Sequence, residues 1–440
     1  MNPELRRNLW LELSPRRMLL MALILGLVFF AAAVAGGNDF APAAVAEVAF
    51  YFLVVIWGAR NAGLSVVGEI RDRTWDSQKL SALTPAQMFW GKLFGSTAYN
   101  WFGGLIALAV ILVYDLGRIG VIGTLIDFVY FIALGLIAQA VSMLVSLVAV
   151  RRRQTHSRFE VFLYQLAGVV AAIAVYYVWR AADPAGSLIA RGAAVDTITW
   201  WGMALDARSF LLVSLAVFTG WTLLACYRQM RLELMVRNGP LVWIGFLIFI
   251  GLYVAGFNAW LSANPAEQYW DVVARRLLLV ATVFGSLTYL MVLLEQKDRV
   301  LYRWMGGQLA RARIDRVFWN FQSWMMSYFA AFVVVAALVG WLHLHAANPL
   351  PSQALLVAAL GFLTRDCAIF VLFQALAGRR RADFAALAVL VALYGLLPAI
   401  IGGMGVHAVG ALFYPLTTDP VWLSPALAWG EAAVAVILAL

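Results

Sequence analysis

The sequence predicts an all-α polytopic membrane protein, and three observations carry that expectation. Of its 440 residues, 64% are hydrophobic and 12% are charged, about half the charge of a soluble domain, and the mean hydropathy is +0.85. Apolar runs of at least ~18 residues, the length that crosses a bilayer as a helix, recur along the whole chain. They are continuous rather than alternating, unlike the strands of a membrane β-barrel.

Twelve such runs are expected, over residues 18–36, 47–68, 93–114, 120–149, 161–179, 209–227, 241–261, 277–294, 323–342, 353–377, 384–402 and 423–440. With a cytosolic N-terminus, one set of loops collects Arg6, Arg7, Arg16 and Arg17, then Arg71, Arg73, Lys79 and Lys92. The same side holds Arg151–Arg153, Arg228, Arg231 and Arg237, the basic residues from Lys297 to Arg316, and Arg379–Arg381. The opposite loops are poorer in arginine, and this bias orients the chain. The net charge of +9 is thus a topology signal, and no nucleic-acid partner is expected. Cys226 and Cys367 lie in apolar runs, which argues against a disulfide framework. The first run lacks a small-residue cleavage site and reads as a span. Outer loops 180–208 and 403–422 have room for brief re-entrant helices.

The chain also repeats itself. The stretch from Glu69 to Arg73 aligns with that from Glu295 through Asp298 to Arg299, and Leu83 then falls on Leu309. Arg151–Arg153 matches Arg379–Arg381 at nearly the same offset, and Leu11-Glu12-Leu13 echoes Leu232-Glu233-Leu234. Two six-span halves follow, 1–237 and 238–440. An even number of spans keeps both in one orientation, as a pseudo-twofold axis along the membrane normal requires.

The most charged interval of the first half is 69–92. It places Trp75, Leu80 and Leu83 among Arg71, Asp72, Asp76 and Lys79, as a surface helix does, with no strong breaker before Thr84. Thr84 then offers an N-cap, Pro85 the first helical position and Gln87 the third residue of a capping box. The helix that starts at Pro85 is expected to run through Gly91-Lys92 into the third span. Near the N-terminus, Glu4 to Leu13 forms an amphipathic segment suited to the membrane interface, followed by a Ser14-Pro15 cap.

A flat amphipathic helix, then six spans with a charged loop between the second and third, resembles the permease of a type-2 ABC transporter. The likeness rests on Glu69, Arg71, Thr74, Leu80, Leu83, Thr84, Pro85, Gly91, Lys92 and Leu93. It implies that the loop is a coupling helix docking on an ATP-binding subunit, through Glu69, Arg71, Asp72, Arg73, Thr74, Trp75, Leu83 and Pro85. Glu295, Asp298 and Arg299 are the matching positions of the second half. There the Thr-Pro and Gly-Lys are replaced around Trp304-Met305-Gly306-Gly307, with Arg311, Arg313 and Arg316 added. The plain alternative is a positive-inside loop whose acids balance its bases.

No phosphate loop is present: Gly91-Lys92 has Ala86 where the first glycine belongs and Leu93 in place of Ser/Thr. The chain is therefore expected to be no enzyme itself, with ATP and Mg held by two separate ATP-binding-cassette ATPase subunits. The resemblance further implies a bacterial inner membrane location.

Charge inside the spans is costly, at roughly 2.5–3.5 kcal/mol for Arg or Asp on insertion scales. Arg365, Asp366 and Glu431 sit near mid-span. Arg365 is expected to pair with Glu431, whereas adjacent Arg365 and Asp366 are not expected to meet on a helix. A structural lock and a substrate or ion contact both remain open. Arg60 and Asn61, with Tyr164 and Gln165, are candidates for a translocation path, the last two equally for helix packing. His343 and His345 lack the neighbours of a metal site. Two functions compete: an ATP-driven exporter of a lipid, lipid-linked glycan or small amphiphile, and an ion-gradient-driven carrier. A membrane scaffold is a third.

Overall fold

The computed structural model describes residues 2–36, 41–151, 158–181, 197–257, 271–295, 297, 299–346, 348–376, 382–403, 407–416 and 419–439. Among these residues, nine helices are long and apolar enough to cross a membrane. The protein is an all-α polytopic membrane protein, and the chain separates into two compact units. Unit 1 comprises Met1–Ile198 and Ala204–Asn238; unit 2 comprises Thr199–Met203 and Gly239–Leu440.

Unit 1 begins with α1 (Pro3–Glu12) and α2 (Pro15–Ala35), each opened by a polar cap and a proline. The Asn2 side chain accepts from the Glu4 and Leu5 amides, and Ser14 accepts from that of Arg17, so donors left over at each helix start are satisfied. Then come α3 (Ala41–Arg71), α4 (Trp75–Lys79), α5 (Pro85–Ser96), α6 (Ala98–Arg151), α7 (Arg158–Ala181) and, after a hairpin, α8 (Ala207–Glu233). Gly120 interrupts α6 at φ +71°. This left-handed conformation suits glycine, and it divides the expected runs 93–114 and 120–149.

Within α3, residues Tyr51–Trp57 form a π-helical turn. Such a turn disturbs the carbonyl ladder, and side chains from neighbouring helices bond to it. Asn100 Nδ2 donates to the Leu53 carbonyl at 3.0 Å, Gln139 Nε2 to that of Val54 at 3.0 Å, and Gln165 Nε2 to that of Ile56 at 3.1 Å. Glycines allow the close approach. A Cβ at Gly104 or Gly135 would lie 2.1 or 2.5 Å from the Val54 side chain.

Three local expectations need correction. Residues 69–83 do not form one surface helix. α3 ends at Arg71, Arg73 takes φ +60°, and the Arg73 and Thr74 amides bond back to the Ile70 and Glu69 carbonyls. This is a Schellman closure with arginine where glycine is usual. The helix from Pro85 likewise breaks at Thr97 before α6. Ser96 and Thr97 hydroxyls bond back to the Lys92 and Leu93 carbonyls at 2.7 Å each, a pattern that bends helices. Finally, part of loop 180–208 is a hairpin of β1 (Thr197–Trp200) and β2 (Met203–Asp206) rather than a re-entrant helix. Trp201 and Gly202 both have positive φ, as a two-residue primed turn requires. Residues 182–196 lie outside the described residues.

Unit 2 carries α9 (Leu241–Ala255), α10 (Val272–Leu294), α11 (Arg299–Ala310), α12 (Ile314–Phe318), α13 (Ser323–His345), α14 (Leu350–Leu376), α15 (Ala382–Ile401) and α16 (Leu423–Ala439). A 3-10 helix, His407–Leu412, falls within loop 403–422. Helices α14 and α16 approach closely, so that a Cβ on Gly361 would lie 2.9 Å from that of Ala428. A second π-helical turn, Ala392–Leu396, lies within α15.

Candidate functional site

Two clusters of buried charge stand out, one in each unit. In unit 1 the cluster forms where α1 crosses α5. Gly91 and Gly95, four residues apart, present a flat face to α1: a Cβ on Gly91 would lie 2.6 Å from Glu4 Cβ, and one on Gly95 would lie 2.5 Å from Asn8 Cβ. Asn2 Nδ2 donates to the Gln87 carbonyl at 2.7 Å and Asn8 Nδ2 to that of Gly91 at 3.2 Å. The approach brings Glu4 onto Lys92, whose side chains are 3% and 1% exposed. Lys92 Nζ donates to Glu4 Oε1 and to Glu69 Oε1, each at 3.3 Å, and to the Ser65 carbonyl at 3.4 Å.

Arg7 completes the cluster from the outer side, with Nη2 2.6 Å from Glu69 Oε1 and 3.4 Å from Glu4 Oε1. Thr74 Oγ1 donates to Glu69 Oε2. Lys92 also stands 5.3 Å from the centre of the Trp75 ring, a cation–π contact. Two acids and two bases share one site, so each buried charge has a partner, the condition under which burying it is tolerable.

This cluster fixes the corner between α3 and α5. Trp75 is buried in an apolar cluster with Ala62, Val66, Met88, Phe89, Leu93, Met143, Leu147, Cys226 and Met230, against which Leu83 is half-buried. Thr84 and Gln87 make the capping box, Oγ1 accepting at 3.2 Å and Oε1 accepting at 2.9 Å, with Pro85 at the first position. What projects is the tip. Arg71, Asp72 and Arg73 are exposed, and Leu80 is 89% exposed. Of the residues expected to couple, Glu69, Thr74 and Trp75 are therefore engaged inside unit 1. Sequence spacing could not foretell the partners of Lys92, which lie 88 and 23 residues away.

The matching positions of unit 2 are built differently. Glu295 accepts from the Ser323 and Trp324 amides at 3.1 and 3.2 Å, a carboxylate at the start of α13 where the helix dipole favours it. Lys297 is buried against Asp383 at 3.0 Å. Asp298 lies outside the described residues, and Arg299 opens α11.

The second cluster lies within the apolar helices of unit 2. The pairing of Arg365 with Glu431 is present, Nη1 to Oε2, at 2.7 Å. The expectation that Arg365 and Asp366 do not meet is wrong: Arg365 Nε donates to Asp366 Oδ1 at 3.0 Å. A guanidinium on a long stem can fold back to a neighbour that a short side chain would not reach. Asp366 is fully buried, and its Oδ2 accepts from Tyr289 at 2.7 Å and from Tyr394 at 2.6 Å. The guanidinium lies 4.7 Å from the Phe362 ring centre and 5.1 Å from that of Tyr394, and Tyr394 belongs to the π-helical turn. Tyr289 and Tyr394 were not foreseen; tyrosines on different helices carry no joint signal in sequence.

Of the path candidates, Asn61 donates to Asn100 Oδ1 at 2.8 Å and Gln165 caps the π-helical turn of α3. Tyr164 is buried with Val67, Ala149 and Val161, and its hydroxyl has no partner among the described residues. Arg60 is exposed. No group of metal-ligating side chains occurs among the described residues. Comparison with family models, curated proteins and solved structures finds no match.

Proposed function

We propose that the chain is the permease of an ATP-driven exporter, with twelve spans in two pseudo-symmetric halves and a cytosolic N-terminus in a bacterial inner membrane. The observation that carries this reading is the locked corner at 69–92. A lever between a soluble motor and membrane helices must be stiff, and it needs outward charge to set register against its partner. Glu4, Arg7, Glu69 and Lys92 supply the stiffness; Arg71, Asp72, Arg73 and Leu80 supply the contact surface. ATP and Mg belong to two ATPase subunits, and the cargo is a lipid, a lipid-linked glycan or a small amphiphile.

Co-purification tests the reading. The chain is expected to bring down an ATPase subunit, Arg73→Ala to weaken the complex by direct loss of contact, and Glu69→Ala to weaken it by loosening the corner. Purified chain that takes up substrate without ATP would sink the proposal.

One observation favours the ion-driven carrier as a second reading. Arg365 Nη2 is buried without an acceptor among the described residues, and Glu431 is 30% exposed, so the intramembrane cluster keeps a donor and a reachable carboxylate for an ion or substrate. If Glu431→Gln left folding and transport unchanged, both roles for this pair would be excluded.

A further inference from the structure

Residues 299–319 of unit 2 contain five arginines and one acid, Asp315. Helices α11 and α12 bury Met305, Gln308 and Val317 and leave Trp304, Leu309, Ile314, Phe318 and Trp319 exposed. Arg303, Arg311, Arg313 and Arg316 are exposed as well, and none makes an ion pair among the described residues. A soluble surface does not ordinarily gather this much aromatic and aliphatic area beside unneutralised arginine.

The tether decides what can cover it. α11 begins five residues after Leu294, the end of one membrane-crossing helix, and α12 ends five residues before Ser323, the start of another. Five residues reach at most about 18 Å. Both ends of the segment are thus held within reach of the bilayer surface, where tryptophan and arginine are favoured.

We infer that 299–319 lies on the membrane and binds anionic phospholipid headgroups, its arginines on the phosphates and its exposed apolar side chains below them. The juxtamembrane basic residues then act as an electrostatic anchor, while Trp304, Ile314 and Phe318 contribute apolar burial. This site is independent of the docking role assigned to 69–92.

The test is a depth measurement on the full chain. Ile314→Cys carries a nitroxide, as does Ala82→Cys, an exposed control in the 69–92 interval; the native Cys226 and Cys367 are buried and leave labelling selective. Each protein is placed in nanodiscs of phosphatidylcholine alone or with about one-quarter phosphatidylglycerol. Accessibility to oxygen is compared with accessibility to a water-soluble nickel chelate. The expected result is a lipid-phase signal at 314 in anionic discs that shifts toward water in phosphatidylcholine. The combined variant R303Q/R311Q/R313Q/R316Q is expected to abolish the difference, with 82 aqueous throughout. A water-phase signal at 314 in both discs would assign the face to a protein partner and overturn the inference. An equal lipid-phase signal in both would overturn the anionic headgroup.

Discussion

The interval 69–92 opens on the charged stretch Glu69–Arg73, and 299–319 begins at Arg299, the last position of the stretch aligned with it, yet the two handle charge in opposite ways. The first holds four basic and three acidic residues, and its two end residues, Glu69 and Lys92, are consumed in contacts with α1 and with each other. The second holds five basic residues and one acid, and its four arginines from Arg303 to Arg316 point outward. Paired, buried charge makes a shaped and rigid element, as a protein partner requires. Unpaired basic charge beside apolar side chains makes an adhesive one, as a lipid surface requires. Under the two roles proposed above, aligned sequences serve different partners.

The difference can be broken most sharply at Lys92. Lys92→Met leaves Glu4 and Glu69 to share Arg7 alone, and removing one partner of a buried pair costs about 3–5 kcal/mol. Thermal unfolding in detergent is expected to show a large loss, with much of it restored when Glu4→Gln is added. An unchanged melting point would mean that the corner is not held by charge. Next in size is Gly91→Ala. Its Cβ would press on Glu4 at 2.6 Å, and overpacking of this kind costs about 1–3 kcal/mol. Faster proteolysis of α1 is the expected readout.

Glu295→Gln removes a charge from the start of α13, where the dipole term is about 0.3–1 kcal/mol. A melting point shift well below that of Lys92→Met is expected, and a comparable one would mean that the two intervals are equally charge-locked. Smallest is the four-arginine variant of 299–319, since exposed substitutions usually stay within about 0.5 kcal/mol. It is expected to leave the melting point in neutral detergent where it is, while changing contact with anionic lipid.

Much of this is legible in the sequence. The Thr84-Pro85-Gln87 box formed as written, because its bonds close within one turn and need nothing from elsewhere. The Arg365–Glu431 contact was also readable, since an arginine deep in an apolar run has few acids to choose from. The Schellman closure at Arg73 was missed because arginine carries no signal for positive φ. Asn100 and Gln139 carry no sequence signal of their own, and Gln165 reads as a candidate for the path or for helix packing; all three bond to carbonyls of the π-helical turn of α3.

The sequence by itself determined that the chain lives in a membrane, where its apolar runs fall, and how several helices begin. Those properties depend on composition and on hydrogen bonds within a few residues. Only the tertiary structure decided which buried charges meet. Lys92 finds Glu4 because glycines 91 and 95 let α1 lie against α5, and Asp366 finds two tyrosines because α10, α14 and α15 converge on it. A buried charge takes its energy from distances of about 3 Å, and such distances are set by packing between segments far apart in the chain.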